Sequence, residues 1–411
     1  MTAARGLVAV ALVSLATSCN RVEREPAATQ PPRSAEPASA VRAASGAPPL
    51  DASTFARLFD ELSERDGGFF SDNLVSNETS MLQVAPLLRA RVAPGRAYLG
   101  VGPEQNFTYI ALTRPSLAFI IDIRRDNALL HLLYKAIFER AETRAEFLSL
   151  LLGRPLREGV GPGAESSVAA VLSAVESSRP EPEWFAREHA ALVARLTGPD
   201  RVDLSSADVR GLEKLHRAFF ERQLELRFEL KEKNGRDYPT LRELFEAKAP
   251  DGRPLGFLAS EASFTTVRDL ERANRIIPVV GDFAGEHALR AVGAELRRRS
   301  LTVGVFYVSN VEQYVMKPPA WQRWVSNVGA LPTDAESIFI RAYLDQGRRH
   351  PAQLAGHRTA TVLQPMSVFL TRGAARPYRT FLALTTDGVL GDERGEPTGA
   401  ASAPAAPALS R

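Results

Sequence analysis

The chain has a single cysteine, Cys19, in 411 residues. A lone cysteine cannot close an internal disulfide, and it rules out metal sites built from several thiolates. Histidine is also sparse. His131, His189, His216, His287, His350 and His357 are scattered, with no H-E-x-x-H spacing to hold a zinc. No metal is therefore expected. There is no G-x-S-x-G turn for a serine hydrolase and no G-x-x-x-x-G-K-[ST] loop for a nucleotide triphosphatase. A strong excess of one charge is missing too. The chain carries 51 Lys and Arg against 48 Asp and Glu, a formal net charge of +3, with the signs mixed along it. Nucleic acid is excluded as a partner on that ground. No internal repeat is present.

The N-terminus carries a recognisable signal. Arg5 precedes an apolar run from Leu7 to Leu15, and Ala16-Thr17-Ser18 lead to Cys19. A basic start, a short apolar stretch and small residues at the cut make a secretory signal. The run is too short to span a bilayer, which takes about 20 apolar residues. Small residues before a cysteine resemble the bacterial lipobox, although the leucine stands one position earlier than usual. Acylation of Cys19 also accounts for the odd cysteine. Residues 1–18 are thus expected to be a lipoprotein signal peptide, with the membrane as a partner through the lipid on Cys19 and the body in the cell envelope, outside the cytoplasm. The alternative is an ordinary signal peptide cut near Cys19. Residues 19–50 are rich in Pro, Ala, Ser, Glu and Arg and read as a tether. Residues 391–411 read as a second low-complexity tail. The body, residues 51–390, is long enough for one large or two small domains.

The body reads as an α/β fold with a mostly parallel sheet. Phe55 to Leu62 is a helix by its apolar spacing. A polar turn over Ser71 to Glu78 leads into a helix ending near Arg91, with Ser76 or Asn77 as its N-cap. Ala97 to Gly102 is a strand ending in glycines, and Phe107 to Leu112 a short helix. Leu117 to Ile123 is a continuous apolar strand of the kind buried on both faces. The 3.6-residue period from Leu130 to Leu151 predicts one long helix. Residues of about 153–262 carry no strand signal and read as a helical insertion, with helices over Trp184 to Leu196, Asp208 to Leu230 and Leu241 to Ala247. Strands then return at Arg275 to Asp282, Leu301 to Val308 and Ser337 to Leu344, separated by helices at Glu286 to Arg299 and Trp321 to Val328. Pro278 marks the first of these as a sheet edge or an irregular strand. Val362 to Leu370 and Arg379 to Thr385 are expected to complete the sheet.

Open α/β sheets bind ligands at the carboxyl ends of their strands. Those ends hold Gly100, Gly102 and Glu104 after the first strand, Asp122 after the second, Asp282 and Phe283 after the third, and Asn310 and Glu312 after the fourth. Glycines allow a ligand close to the backbone. A carboxylate ending the second strand can accept from two ribose hydroxyls. Each position also has a structural reading: a tight turn at the glycines, pairing of Asp122 with Arg124 or Arg125, a helix cap at Asp282, a loop bond at Asn310. Tyr109 and Tyr314 read as packing residues with bonded hydroxyls, His131 as a packed one. The polar stretches Ser71-Asp72-Asn73 and Ser76-Asn77-Glu78 beside Phe69-Phe70 read as a capped helix entry, with entry into the site as the alternative.

The order of these residues resembles that of class I S-adenosylmethionine-dependent methyltransferases, a Rossmann-like fold. The stretches YLGVGPEQNFTYIA, FIIDIRRDN, RIIPVVGDFAG and FYVSNVEQY resemble an uncharacterised bacterial family assigned to that superfamily by fold. The resemblance runs over about Phe70 to Leu152 and Phe264 to Leu344. It implies S-adenosylmethionine, or another small nucleoside-like ligand, as cofactor. Gly100, Gly102 and Glu104 would form the cofactor turn, Asp122 would hold the ribose, and Asp282 with Phe283 the adenine. Asn310 and Glu312 would face the acceptor, Glu312 as base. The sequence departs from the pattern in three ways. Glu104-Gln105 stands where a third glycine is usual, Pro103 lacks a backbone N–H, and the gap from Asp122 to Asp282 is far longer than usual. The alternative function is a non-catalytic envelope lipoprotein that uses a degenerate Rossmann scaffold to bind a partner.

Overall fold

The computed structural model describes residues 48–391, except 158–161, 199–200, 231–235, 346 and 376. The signal peptide, Cys19 and nearly all of the tether and tail lie outside the described residues. No helix among the described residues is long and apolar enough to cross a membrane.

The chain opens with α1 (Ala52–Leu62), capped by the Asp51 carboxylate, which accepts from Thr54 N. Next come α2 (Ala85–Arg91), β1 (Ala97–Gly100), α3 (Gln105–Thr113), β2 (Leu117–Asp122), α4 (Arg125–Arg140) and α5 (Arg144–Leu152). The inserted block holds α6 (Val168–Glu176), α7 (Pro182–Leu196), α8 (Ser206–Arg222) and α9 (Leu241–Glu246). The α/β alternation resumes with α10 (Glu261–Arg272), β3 (Ile276–Val280), α11 (Ala288–Arg298) and β4 (Val303–Ser309). It closes with α12 (Glu312–Val315), α13 (Ala320–Gly329), β5 (Ile338–Leu344), β6 (Thr359–Pro365), α14 (Met366–Ala375) and α15 (Phe381–Thr386).

The six strands form one sheet in the order β3-β2-β1-β4-β5-β6. Every neighbouring pair is parallel except β5–β6, which is antiparallel. This is the Rossmann-like α/β fold expected, with the helical insertion after α5. The strands are buried along almost their whole length, as a sheet covered on both faces requires. From β1 the chain builds outward through β2 to β3, then returns to the other side of β1 for β4. The crevice between β1 and β4 is therefore the topological switch point, where such sheets bind ligands. Pro278 pairs opposite Ile120 in β3, at the outer edge of the sheet. That is where a residue without an N–H is tolerated.

Several boundaries differ from the expected ones, each for a local reason. The single long helix is two: α4 stops at Arg140, and α5 starts afresh at Thr143, whose side chain accepts from Glu146 N. Both helices are buried on nearly all sides, so the apolar period continues across a break it cannot register. The helix expected to reach Leu230 ends at Arg222. Gln223 adopts φ 53°, and its amide donates to the carbonyls of Phe220 and Leu152. The helix before Arg91 begins only at Ala85, behind Val84, so neither Ser76 nor Asn77 caps it. The closing strands are a correction too. Only Thr359–Pro365 is strand, and Met366–Ala375 and Phe381–Thr386 are helices, the latter capped by Thr380. Short buried runs of this length do not separate helix from strand by period.

Candidate functional site

A cavity of about 610 Å³ opens at the carboxyl edge of the sheet, over the switch point. Ligand pockets usually measure roughly 300–1,000 Å³. Strand ends supply Gly102, Asp122, Asp282, Ser309 and Asn310 to its wall. The inserted block adds Phe228, Leu230, Arg236 and Tyr238, and the segment before α2 adds Phe69, Phe70 and Glu78. No group of three or more potential metal ligands occurs among the described residues.

The loop after β1 is pinned by one amide. Asn106 Nδ2 donates to the carbonyls of Val101, Gly102 and Pro103 at 2.8–3.0 Å, and its Oδ1 accepts from the Tyr98 hydroxyl at 2.8 Å. Gly100 exists for this arrangement. A Cβ there would stand 2.0 Å from Asn106 Oδ1, and Gly100 does not line the cavity. Gly102 does line it, at φ +78°. Its carbonyl also meets His131 Nε2 at 2.8 Å. Burial holds the His131 ring down to about 4, so it stays neutral and acts as an anchor. Glu104 is buried beneath the loop rather than in the cavity wall, and its carboxylate accepts from Ser76 N at 3.1 Å. Burial pushes it up to about 7.

Asp122 reaches the cavity but is engaged. The Arg124 guanidinium grips both of its oxygens at 3.1 Å, and Arg124 N donates to Oδ1 at 3.0 Å. Asp282 also lines the cavity. Its Oδ1 accepts from Ala284 N at 2.9 Å, a local turn rather than a helix cap. The start of α11 is instead covered by Glu64, which accepts from the N–H groups of His287 and Ala288. Phe283 lines the cavity while stacking on Trp324, with centroids 5.2 Å apart and planes at 12°. Asn310 lines it beside Tyr314, whose hydroxyl it bonds.

Glu312 requires correction. It is fully buried, outside the cavity wall, and sealed in an ion pair with Arg341 at 2.5 and 2.9 Å, with Trp324 Nε1 at 3.0 Å. A carboxylate so saturated has no open position for an acceptor proton. The expected general base is therefore a structural group.

Another acid does reach the cavity wall, from a polar run for which the sequence reading preferred a helix cap to entry into the site. Glu78 lines the cavity and is fully buried. Its Oε1 accepts from the Tyr307 hydroxyl at 2.6 Å and from Ser309 Oγ at 2.5 Å. Tyr307 in turn accepts from Gln105 Nε2. Burial raises the Glu78 carboxyl above the ordinary range, and its two bonds only partly offset this. The signal was the polar run Ser76-Asn77-Glu78 beside Phe69-Phe70, which had been assigned to a helix cap. At the cavity mouth, Phe69, Phe70 and Tyr314 form an aromatic cluster, with centroids 4.3–5.8 Å apart. Phe70 and Tyr314 are nearly half exposed. Tyr109, by contrast, is a packing residue whose hydroxyl donates to Met81 O.

A mostly parallel six-stranded sheet with a cavity over its switch point defines the class: a Rossmann-like α/β protein with a pocket at the carboxyl edge of its sheet. Within that class, the chain belongs to the family described as Domain of unknown function (DUF7790), whose model matches residues 73–155 and 212–391. Between the two matched segments, residues 156–211 cover α6, α7 and the start of α8. No curated protein matches the chain.

Proposed function

We propose that the cleft binds a flat, nucleoside-type ligand and that the protein is a lipid-anchored envelope member of the methyltransferase-like Rossmann class. The observation that carries the ligand is the cavity itself: ligand-sized, over the switch point, apolar at its aromatic mouth and polar at the strand ends. Phe70 and Tyr314 offer faces for a ring, and rings stack on such faces. Asp282 keeps one carboxylate oxygen clear of its local turn bond.

S-adenosylmethionine is the ligand the sequence resemblance supplies, and the residues fit it in part. The cavity volume and Asp282 suit its adenosine end. Asp122 suits the ribose role less well, because the Arg124 guanidinium already bonds both carboxylate oxygens and leaves one acceptor position on Oδ2. Glu312 offers no base, so the methyl-transfer step has no group in the position expected for it. The reading is accordingly one of binding, and Glu78 is an acid–base group on the cavity wall. The test is calorimetric titration of S-adenosylmethionine and S-adenosylhomocysteine into the purified protein. Micromolar binding that Asp282→Ala abolishes supports the reading, and absence of binding sinks it.

The anchoring half rests on the run Leu7 to Leu15 and on Ala16-Thr17-Ser18-Cys19. Labelled fatty acid fed to expressing cells should enter the wild-type chain and not Cys19→Ser. Equal labelling of both would overturn it.

A further inference from the structure

We propose that Glu78 and Gln105 form a recognition floor in the cleft for an uncharged, carboxamide-type group of the ligand. Both side chains line the cavity and both are buried. They meet at one point, the Tyr307 hydroxyl, which donates to Glu78 Oε1 and accepts from Gln105 Nε2. These bonds use one end of each group. The other ends, Glu78 Oε2 and Gln105 Oε1, have no hydrogen-bond partner. Buried polar atoms are nearly always partnered, and leaving one bare is costly. Two bare atoms on side chains joined through one hydroxyl, both on residues of a cavity wall, mark where ligand atoms belong. The backbone supports this arrangement at a cost. Ser309 sits at φ 50°, a conformation strained for serine, while its hydroxyl reaches Glu78.

The polarity of the floor follows from its surroundings. The hydrogen-bond partners of Glu78 are the uncharged hydroxyls of Tyr307 and Ser309. The other titratable groups acting with it are Tyr98 on β1, Tyr109 on α3 and Glu104 ahead of α3. The cavity's own charged residues are Asp122, Arg124, Arg236 and Asp282, with Arg124 committed to Asp122. A buried carboxyl without a cation partner holds its proton. Glu78 Oε2 then donates while Gln105 Oε1 accepts. A carboxamide is the complement, since its carbonyl accepts and its N–H donates. A carboxylate has only acceptors and would face Gln105 Oε1 with no proton to offer. The aromatic mouth takes a flat body attached to that group.

This deepens the reading of the same cleft and rests on it only for the ligand's position. The test uses two probes of one shape, benzamide and benzoate, titrated separately into the purified protein by ligand-observed NMR. Benzamide should bind at least about tenfold more tightly than benzoate at mildly acidic pH. Its affinity should fall as rising pH ionises Glu78. Glu78→Gln, which keeps a donor at the same place, should bind benzamide and lose that pH dependence. Gln105→Leu should lower benzamide affinity with little change for benzoate. Equal affinities, tighter benzoate, no benzamide binding, or a pH dependence that survives in Glu78→Gln would each overturn the proposal. Failure of S-adenosylmethionine to bind, with benzamide still preferred, would remove the nucleoside reading and leave the floor standing. Loss of the preference with the nucleoside still bound does the reverse.

Discussion

Glu78 and Glu312 are both completely buried beside the carboxyl end of β4, and they have opposite surroundings. Glu312 has Arg341 across both oxygens and Trp324 on one. Arg341 is itself held by Gln364 at 3.0 Å and lies over the Phe339 ring at 4.2 Å. Glu78 has two uncharged hydroxyls on one oxygen and nothing on the other. The first region is closed, with every polar atom of the carboxylate met by protein. The second leaves one oxygen without a partner on a residue of the cavity wall. A buried acid alone therefore carries no functional message. The message lies in whether its lone pairs are used up.

This contrast can be broken at the closed end first. Arg341→Ala would strand the Glu312 carboxylate in the core. Removing one partner of a buried pair costs about 3–5 kcal/mol. Chemical denaturation should show a loss of that order, while Glu78→Gln should leave stability nearly unchanged. A small loss for Arg341→Ala would mean that the two regions do not differ as described.

The next effect is a dependence on pH. The carboxyl of Glu104, ordinarily near 4.5, is pushed up to about 7 by burial. Folding then favours its protonated form. That stability is fully present below the unfolded value and is lost as pH rises through the folded one. Between pH 4.5 and 7 the wild type should lose up to about 3 kcal/mol through this group. Glu271, pushed up to about 8 by burial, acts with the same sign over a wider window. Denaturation curves of Glu104→Gln should decline less across the first window. An unchanged slope would show that Glu104 is charged in the native protein.

Gly100→Ala comes third. Its Cβ would strike Asn106 Oδ1 and the Tyr98 ring, forcing the pinned loop to shift. Overpacking of this kind costs about 1–3 kcal/mol, readable as a fall in the unfolding midpoint. The smallest effect on stability belongs to Phe70→Ala. A half-exposed residue of this sort should change stability by less than about 0.5 kcal/mol. Ring binding at the mouth should nevertheless weaken, as measured by the benzamide titration. A large loss of stability would place Phe70 in the core rather than at a binding rim.

The legible part of this protein was its sheet. Mainly apolar runs at Leu117 to Ile123 and Leu301 to Val308, rich in β-branched and aromatic residues, read as strands covered on both faces, and of the two readings of Pro278, edge or irregular strand, the edge is found. The strand ends were legible in position and only partly in role. Gly102, Asp122, Asp282, Phe283 and Asn310 all reach the cavity, because topology alone brings strand ends together. Whether a carboxylate is free depends on a partner distant in sequence or on a side-chain direction, and spacing encodes neither. Arg341 lies on β5, 29 residues after Glu312, and Tyr307 on β4 lies 229 residues after Glu78. Glu78 itself was hidden by a rule that usually works. A polar run before a helix normally caps it, but here the helix starts later, at Ala85. The insertion was recognised as helical, yet the approach of Phe228 and Tyr238 to the cavity is a tertiary fact with no local trace.

Pro278 has one more consequence. A sheet's outer strand offers bare backbone groups that can recruit another chain. At the β3 edge, Pro278 has no N–H to offer, Val280 N donates to Ser63 Oγ, and Val280 O accepts from Glu64 N. The segment just after α1 thus covers the end of that strand. A second copy of this protein finds the carboxyl end of that strand already covered. Pro278 and that cover are two of the devices by which a sheet edge is kept from pairing with another chain.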